Sequence, residues 1–373
     1  MIDVSSRGPR DPEQVKAALA RWLAERWPAA ESITIDDLST PKATGYSNET
    51  VIFRAAWSEH GRRRDGRYAL RIEPIDPPLF PQQTAVTYPS VEVQYRAMQA
   101  VGQHSDVPLA PLIGYETRPT VLERPFFVMG YVDGKVPSDV PPYSHTGFIA
   151  DEATPAQRRR LVQSGIEVLA KIHRINWREA GCDWLVPQGT PPGLSWQLDL
   201  YTTYAHAELR GRAHPILEHA LEWLHARFPG ERGLAISWGD ARIGNMIFAD
   251  FECAAVTDWE GVALAPPEVD LGWWLAQDRF SHESFGIARL DGLPTREEQQ
   301  AYYVSLTGRC MNDLHYFEVF AAMRYTVVMI RLGDRLTEAG RVPAEMNMAV
   351  HNVATQLLAD LLDIPYRWTD PPR

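Results

Sequence analysis

Cysteine is scarce in this 373-residue chain: Cys182, Cys253 and Cys310 lie far apart and no CxxC pair occurs. An odd, sparse count does not build a disulfide framework, so a reducing, cytoplasmic setting is expected. Long apolar runs are missing as well. Nothing approaches the roughly 18 residues that a spanning helix needs. Met1 to Arg10 carries charges and no apolar core, so no signal peptide is expected. Positive charge is in deficit, with 37 Lys and Arg against 48 Asp and Glu and a net charge of −11. That balance argues against broad binding to nucleic acid or to an anionic membrane, which needs a basic footprint. Internal repeats are absent too, which removes solenoid folds. What remains is ordinary globular usage, 45% hydrophobic and 23% charged, which excludes a mainly disordered chain. At roughly 150 residues per domain, two packed lobes are expected.

The first third reads as β-rich. Asp11-Pro12-Glu13-Gln14 is a helix start, with a capping Asp and Pro in the first turn, and Val15, Ala18, Leu19, Trp22 and Leu23 follow at helical spacing. Thr50 to Trp57 and Arg67 to Ile72 read as a strand pair joined by a basic turn, Gly61 to Gly66, whose Arg62-Arg63-Arg64 is a solvated tip. A helix is expected around Val91 to Val101 and an apolar strand at Phe126 to Met129, ending at Gly130-Tyr131-Val132-Asp133-Gly134. From Pro155 the texture is helical: Arg160–Arg174, Leu198–Arg210, Pro215–Phe228 and Tyr316–Arg331 read as helices around a β island at Leu234–Thr257.

That island carries the chemistry. Leu234 to Ser237 is a short strand leading into Trp238-Gly239-Asp240, with Asn245 five residues after Asp240. Met246 to Phe248 and Ala254 to Thr257 read as a hairpin turning at Asp250. The expected register puts Phe248 opposite Ala255 and Asn245 opposite Asp258. Two carboxylates and an amide oxygen then converge from three points of the chain. Such a set suits a hard cation such as Mg²⁺ held by few protein oxygens plus phosphates, with one carboxylate left to orient and deprotonate a hydroxyl. A bare D-x-x-x-x-N is common in loops; the preceding strand, the hairpin and the second Asp separate this one from chance.

Trp238-Gly239-Asp240-x4-Asn245, followed by Asp258-Trp259-Glu260 and Pro267-Glu268-Val269-Asp270-Leu271, resembles the aminoglycoside phosphotransferase family. Those proteins are relatives of choline kinases and protein kinases. The resemblance spans most of the chain. Gly45-Tyr46-Ser47-Asn48 is similar to the phosphate-facing loop, Tyr68-Ala69-Leu70-Arg71 to the β3 block and Phe127 to Gly134 to the adenine hinge; Leu169 to His173 is similar to the helix before the catalytic loop. The branch that includes acyl-CoA-dehydrogenase-associated kinases shares the Leu-Arg and Asp-Trp-Glu signatures. Three departures stand out. Trp238 replaces the usual His two before the catalytic Asp, Arg71 replaces Lys, and Gln94 stands where a helix-C carboxylate is expected, with Glu92 nearby.

The resemblance implies an α+β, bilobal protein-kinase-like fold, with a small β-rich N-lobe over 1–132 that binds nucleotide. A large, mainly helical C-lobe over 133–373 would carry the catalytic loop and acceptor-binding helices. It implies ATP- and Mg²⁺-dependent transfer of the γ-phosphoryl group to a hydroxyl of a small molecule. Asp240 is then catalytic. Asn245 and Asp258 hold Mg²⁺, and Gly45, Ser47, Asn48, Arg71, Met129, Gly130 and Val132 bind the nucleotide. A small-molecule hydroxylated acceptor is the expected partner, with no nucleic acid and no membrane. Two other readings share these residues: a kinase of a hydroxyacyl thioester or other metabolite, and a nucleotide-binding pseudokinase suggested by Arg71, Gln94 and Trp238. A metal-dependent hydrolase ranks below them because the scattered histidines make no metal template. Asp270 is expected to brace the catalytic loop. His173, Trp273, Trp274 and the Tyr316–Arg331 stripe are expected in the core.

Overall fold

The computed structural model describes residues 11–40, 49–84 and 88–368. They fall into two compact units, one comprising Met1–Pro78, Thr87–Gln99 and Leu109–Asp133, the other Leu79–Val86, Ala100–Pro108 and Gly134–Arg373. The architecture is α+β, with a β-sheet in the N-terminal part and mainly helices in the C-terminal part.

The smaller unit opens with α1 (Pro12–Arg26), whose Asp11 cap accepts from the Glu13 N–H. Strands β1 (Ala30–Ser39), β2 (Glu49–Glu59) and β3 (Arg62–Ile72) follow, then α2 (Ser90–His104), β4 (Leu112–Glu116), the short α3 (Pro119–Leu122) and β5 (Phe126–Gly130). The strands make one antiparallel sheet in the order β1-β2-β3-β5-β4. One face of α1, through Leu19, Trp22 and Leu23, shares a core with Phe53, Leu70, Phe126 and Val128. The rings of Trp22 and Phe126 lie 5.2 Å apart. The basic turn expected at Gly61–Gly66 is corrected here. His60 and Gly61 both have positive φ (50° and 72°) and close the hairpin in two residues, as a type I′ turn does, so Arg62–Gly66 are strand residues paired with β2.

The larger unit holds α4 (Pro155–Ile172), α5 (Leu194–Leu209) and α6 (Pro215–Ala226). Four short strands come next: β6 (Ala235–Ser237), β7 (Met246–Ala249), β8 (Glu252–Val256) and β9 (Ala263–Ala265). Then follow α7 (Pro267–His282), α8 (Arg296–Thr307), α9 (Leu314–Glu338) and α10 (Val353–Leu361). A Thr154–Gln157 capping box with Pro155 starts α4. Helix α9 is the axis of this unit. It is buried along most of its length and packs against α5, α6, α7 and α10. Strand β6 pairs with β9 and β7 with β8. Among the described residues no helix is long and apolar enough to cross a membrane.

His214 caps α6 with an imidazole instead of an oxygen: its Nδ1 accepts the Leu217 N–H, which only the neutral ring can do. Burial pushes its pKa down from 6.5 to about 4. The folded state thus binds fewer protons than the unfolded state between those values, so stability is full above about pH 6.5 and falls as pH drops towards 4. The expected loss is about 3 kcal/mol. His214→Asn keeps a good cap but does not titrate. Melting temperatures measured from pH 7 to pH 4 should fall less steeply in that variant.

Candidate active site

A fully buried carboxylate organises the loop after β6. Asp270, in the first turn of α7, accepts from Ser237 Oγ (2.7 Å), Trp238 N (2.6 Å) and Gly239 N (3.0 Å). It also lies 3.0 Å from His173 Nε2, whose Nδ1 meets the Tyr303 hydroxyl at 2.6 Å. Burial raises the Asp270 carboxyl, but the bonds and charge of His173 and the bonds from Ser237 and Gly239 outweigh it, and the pKa ends below its ordinary 3.8. Gly239 has φ +90°, and a Cβ there would sit 1.9 Å from the Gly261 carbonyl oxygen, so only glycine fits. These constraints aim the next residue, Asp240.

The Asp240 carboxylate is nearly buried, at 7% exposure. Oδ1 accepts from Arg242 Nε (3.0 Å) and Trp273 Nε1 (2.8 Å), and Oδ2 from Asn245 Nδ2 (2.7 Å) and Arg242 Nε (3.1 Å). Asn245 Nδ2 also reaches the Asp240 carbonyl at 3.1 Å. Arg242 bridges onward to Asp139. Burial lowers the Arg242 pKa, but Asp240 and Asp139 more than reverse that and hold it well above its ordinary value. Arg242 and Trp273 were missed by motif reading. Arg242 lies only two residues from Asp240, but Trp273 sits on α7 and looks like core.

Asn245 ends a single 3₁₀ turn, Ile243–Asn245, at the mouth of the β7–β8 hairpin. Its carbonyl accepts from Thr257 N and Thr257 Oγ1, both at 2.9 Å. Asn245 therefore faces Thr257, and Asp258 is one residue further on, with φ +57°. The expected register is corrected on two counts. Phe248 faces Cys253, not Ala255: the hairpin closes tightly at Ala249–Glu252, and Ala254 bulges between the Ile247–Ala255 and Phe248–Cys253 pairs. The turn itself is tight, with Asp250 and Phe251 both at positive φ. The buried Trp238 indole ties the loop to the hairpin's end: Nε1 donates to Thr257 O (3.0 Å) and Asp258 O (3.2 Å). Among the described residues there is no cluster of three or more His, Cys, Asp or Glu side chains able to hold a metal.

In the smaller unit Arg71 lies on β3 between Thr50 and Phe127, and its Nη2 donates to Gln94 Oε1 at 3.0 Å. The α2 residue that meets Arg71 here is thus a carboxamide. Glu92 accepts from the Tyr115 hydroxyl instead (3.1 Å). The start of α2 is capped by Glu73, whose two oxygens take the N–H groups of Ser90 and Val91, each at 2.9 Å. Met129 is buried at the end of β5. The Gly130 N–H donates to Pro111 O (2.8 Å) and the Tyr131 N–H to Arg67 O (3.0 Å). Val132 follows directly. Gly45, Ser47 and Asn48 lie outside the described residues.

The sequence profile of the phosphotransferase enzyme family matches residues 40–303. The chain belongs to that family. Acyl-CoA dehydrogenase family member 10 of Mus musculus is 25% identical over 298 residues, 76% of this chain and 25% of that protein. Acyl-CoA dehydrogenase family member 11 of Rattus norvegicus is 25% identical over 212 residues, 53% of this chain and 25% of that protein. The chain thus spans about a quarter of the length of these relatives. A candidate aminoglycoside phosphotransferase from Ralstonia eutropha JMP134 superposes with a TM-score of 0.65 at 20% identity, covering 94% of this chain and 99% of that one. The thermostable aminoglycoside phosphotransferase APH(4)-Ia in complex with AMP-PNP and hygromycin B gives 0.55 at 14% identity, covering 93% and 98%. At these identities the structural likeness concerns the fold, which is the protein-kinase-like fold of the family. The chain is a phosphotransferase enzyme.

Asp270→Ala leaves the N–H groups of Trp238 and Gly239, the Ser237 hydroxyl and His173 without their buried acceptor. Breaking a buried charged network of this kind costs about 3–5 kcal/mol. Urea unfolding followed by tryptophan fluorescence should show a midpoint lowered to match.

Proposed function

We propose that this phosphotransferase moves the γ-phosphoryl group of ATP to a hydroxyl of a small molecule, with Mg²⁺ assistance. The observation that carries this reading is the Asp240–Asn245 pair, held at 2.7 Å on a loop whose backbone is pinned by Asp270. Phosphoryl transfer asks the protein mainly for positioning and charge stabilisation. Asp240 orients the acceptor hydroxyl and takes its proton as the new oxygen–phosphorus bond forms and the bond to the ADP oxygen breaks. Its lone pairs are engaged by Arg242, Trp273 and Asn245, so the arriving hydroxyl displaces one donor. Arg242 is the most accessible of the three and has Asp139 as a second partner.

Asn245 and Asp258 offer hard oxygens, a set that fits Mg²⁺, which takes one or two protein carboxylates and completes its shell with phosphates and water. When bound, the ion neutralises charge on the phosphates being separated. Arg71 contacts phosphate oxygens, and the Gly130 and Val132 backbones, beside Met129, take the adenine. Gly45, Ser47 and Asn48 are assigned to the phosphates by family resemblance alone. Two curated relatives are named as acyl-CoA dehydrogenases, which favours a hydroxyacyl thioester as a second acceptor reading.

Asp240→Asn keeps shape and hydrogen bonding but cannot take the proton. Turnover should fall by about 10²–10⁴-fold with ATP affinity nearly unchanged. Unaltered turnover in an ADP-release assay would remove Asp240 from the mechanism. For Asp258→Asn, calorimetric titration should reveal weakened Mg²⁺-dependent ATP binding alongside lost turnover. Arg71→Ala should raise the ATP KM or lower kcat. Arg71→Lys should keep part of the activity, since it retains charge but loses the fork. Steady-state kinetics at varied ATP distinguishes these cases.

A further inference from the structure

Helix α9 places a buried cation beside the Asp240 loop. Arg324 is 2% exposed. Its guanidinium lies over the rings of Trp273 (4.6 Å to the centroid), Tyr201 (4.8 Å) and Phe320 (5.8 Å). Nη2 donates to the Gly239 carbonyl at 2.9 Å. Among the described residues, Nε and Nη1 of Arg324 and the neighbouring Tyr201 hydroxyl make no aligned hydrogen bond, although all are buried. Flat aromatic faces lower the cost of holding a guanidinium away from water, but they satisfy none of its N–H groups. A buried charge with idle donors is expensive, and natural interiors keep such a group when a ligand completes it.

Its position says which ligand. The Trp273 indole lies under Arg324 and donates from Nε1 to Asp240 Oδ1, so one side chain links the cation to the carboxylate. The Tyr201 hydroxyl lies close enough to Arg324 to interact with it as a hydrogen-bond partner as well as through charge, and it is within electrostatic reach of Asp240 and Glu260. The second cation, Arg242, is shared between Asp240 and Asp139; among the described residues no carboxylate is hydrogen-bonded to Arg324. Arg242 is thus engaged by its own carboxylates, and the open donors of Arg324 are what attract an anion.

Resting on the phosphotransfer reading above, we infer that Arg324 and Tyr201 form an oxyanion subsite for the acceptor. The acceptor is a hydroxylated anion. Its carboxylate or phosphate group takes the Nε and Nη1 donors of Arg324 and the Tyr201 hydroxyl, while its alcohol lies against Asp240. This sets the protein apart from family members that act on aminoglycosides, whose ammonium groups would meet like charge here.

The test is a kinetic panel with Mg²⁺ and ATP: ω-hydroxy carboxylates of three to eight carbons, the corresponding amides, and hydroxyalkyl phosphates of the same lengths. The carboxylate or the phosphate series should exceed the amides by about 10- to 100-fold in kcat/KM, the range of a charge-assisted bidentate contact. Which series leads identifies the anion. Tyr201→Phe should narrow that ratio several-fold through the acceptor KM. Arg324→Gln should remove it, and Arg324→Lys should restore part of it. Melting temperatures identify any variant that fails to fold, in which case Tyr201→Phe decides. Equal use of acids and amides, or preference for an aminoglycoside, would overturn the subsite and leave phosphotransfer intact. Nucleotide binding is measured separately by titrating Mg²⁺ and AMP-PNP. If no acceptor turns over, calorimetric titration of the same acids into protein with Mg²⁺ and AMP-PNP decides: binding that Arg324→Gln abolishes supports the subsite, and no binding to wild type overturns it.

Discussion

A carboxylate with no access to water, Asp270, is the fixed point of the Asp240 loop. Left alone, such a group would take up a proton or force the fold open. Here it is met by two backbone N–H groups, a hydroxyl and an imidazole, and stays below its ordinary pKa. The same contacts fix the peptides of Trp238 and Gly239. The carbonyl of Gly239 is then taken from the other side by Arg324. One peptide segment is thus held at its N–H by α7 and at its C=O by α9. No residue with a side chain can adopt its conformation against Gly261. Asp240 inherits its direction from this arrangement instead of from its own packing.

That dependence explains why the immediate surroundings of Asp240 are cationic and aromatic. A carboxylate at 7% exposure needs donors, and Arg242, Asn245 and the Trp273 indole supply them. Two of these, Arg242 and Asn245, come from the loop itself. Trp273 arrives from α7, whose first turn holds Asp270, so the residue that pins the loop and the indole that completes it sit on one helix.

The pieces that were legible in the sequence are the one-dimensional ones. The spacing of Asp240, Asn245 and Asp258, the apolar run before them and the bracing role of Asp270 all follow from residue order. The helices from α4 onward follow from periodicity and caps. What was not legible depends on pairing. The hairpin turns in two residues, Asp250 and Phe251, and a single bulged residue, Ala254, recovers one place, so Asn245 faces Thr257 and not Asp258; alanine gives no compositional sign of a bulge. Strands β1 and β4 escaped notice because each relies on a neighbouring strand for its identity: β1 mixes Asp and Glu into its alternation and β4 is five residues long. Trp273 and Arg324 read as core, and they are core. Their second role rests on a single polar edge that no hydrophobic pattern reveals. The phosphate-loop residues lie outside the described residues, so for them the sequence is the sole guide.

The tryptophan at position 238 shows how a departure from a family pattern can keep its physics. A histidine there can donate from only one nitrogen when neutral, and its charge depends on pH. The indole donates from Nε1 alone and does not titrate. It reaches both Thr257 O and Asp258 O, so the link between the loop and the backbone at the hairpin's end does not depend on a titrating ring. The larger ring also needs more room. It is fully buried and packs beside Trp259, whose ring lies 6.1 Å away at a tilt. His173 stands one step back, where an imidazole faces Asp270 on one side and Tyr303 on the other. His173 meets the loop through the Asp270 carboxylate, which also holds the two backbone N–H groups that set the direction of Asp240.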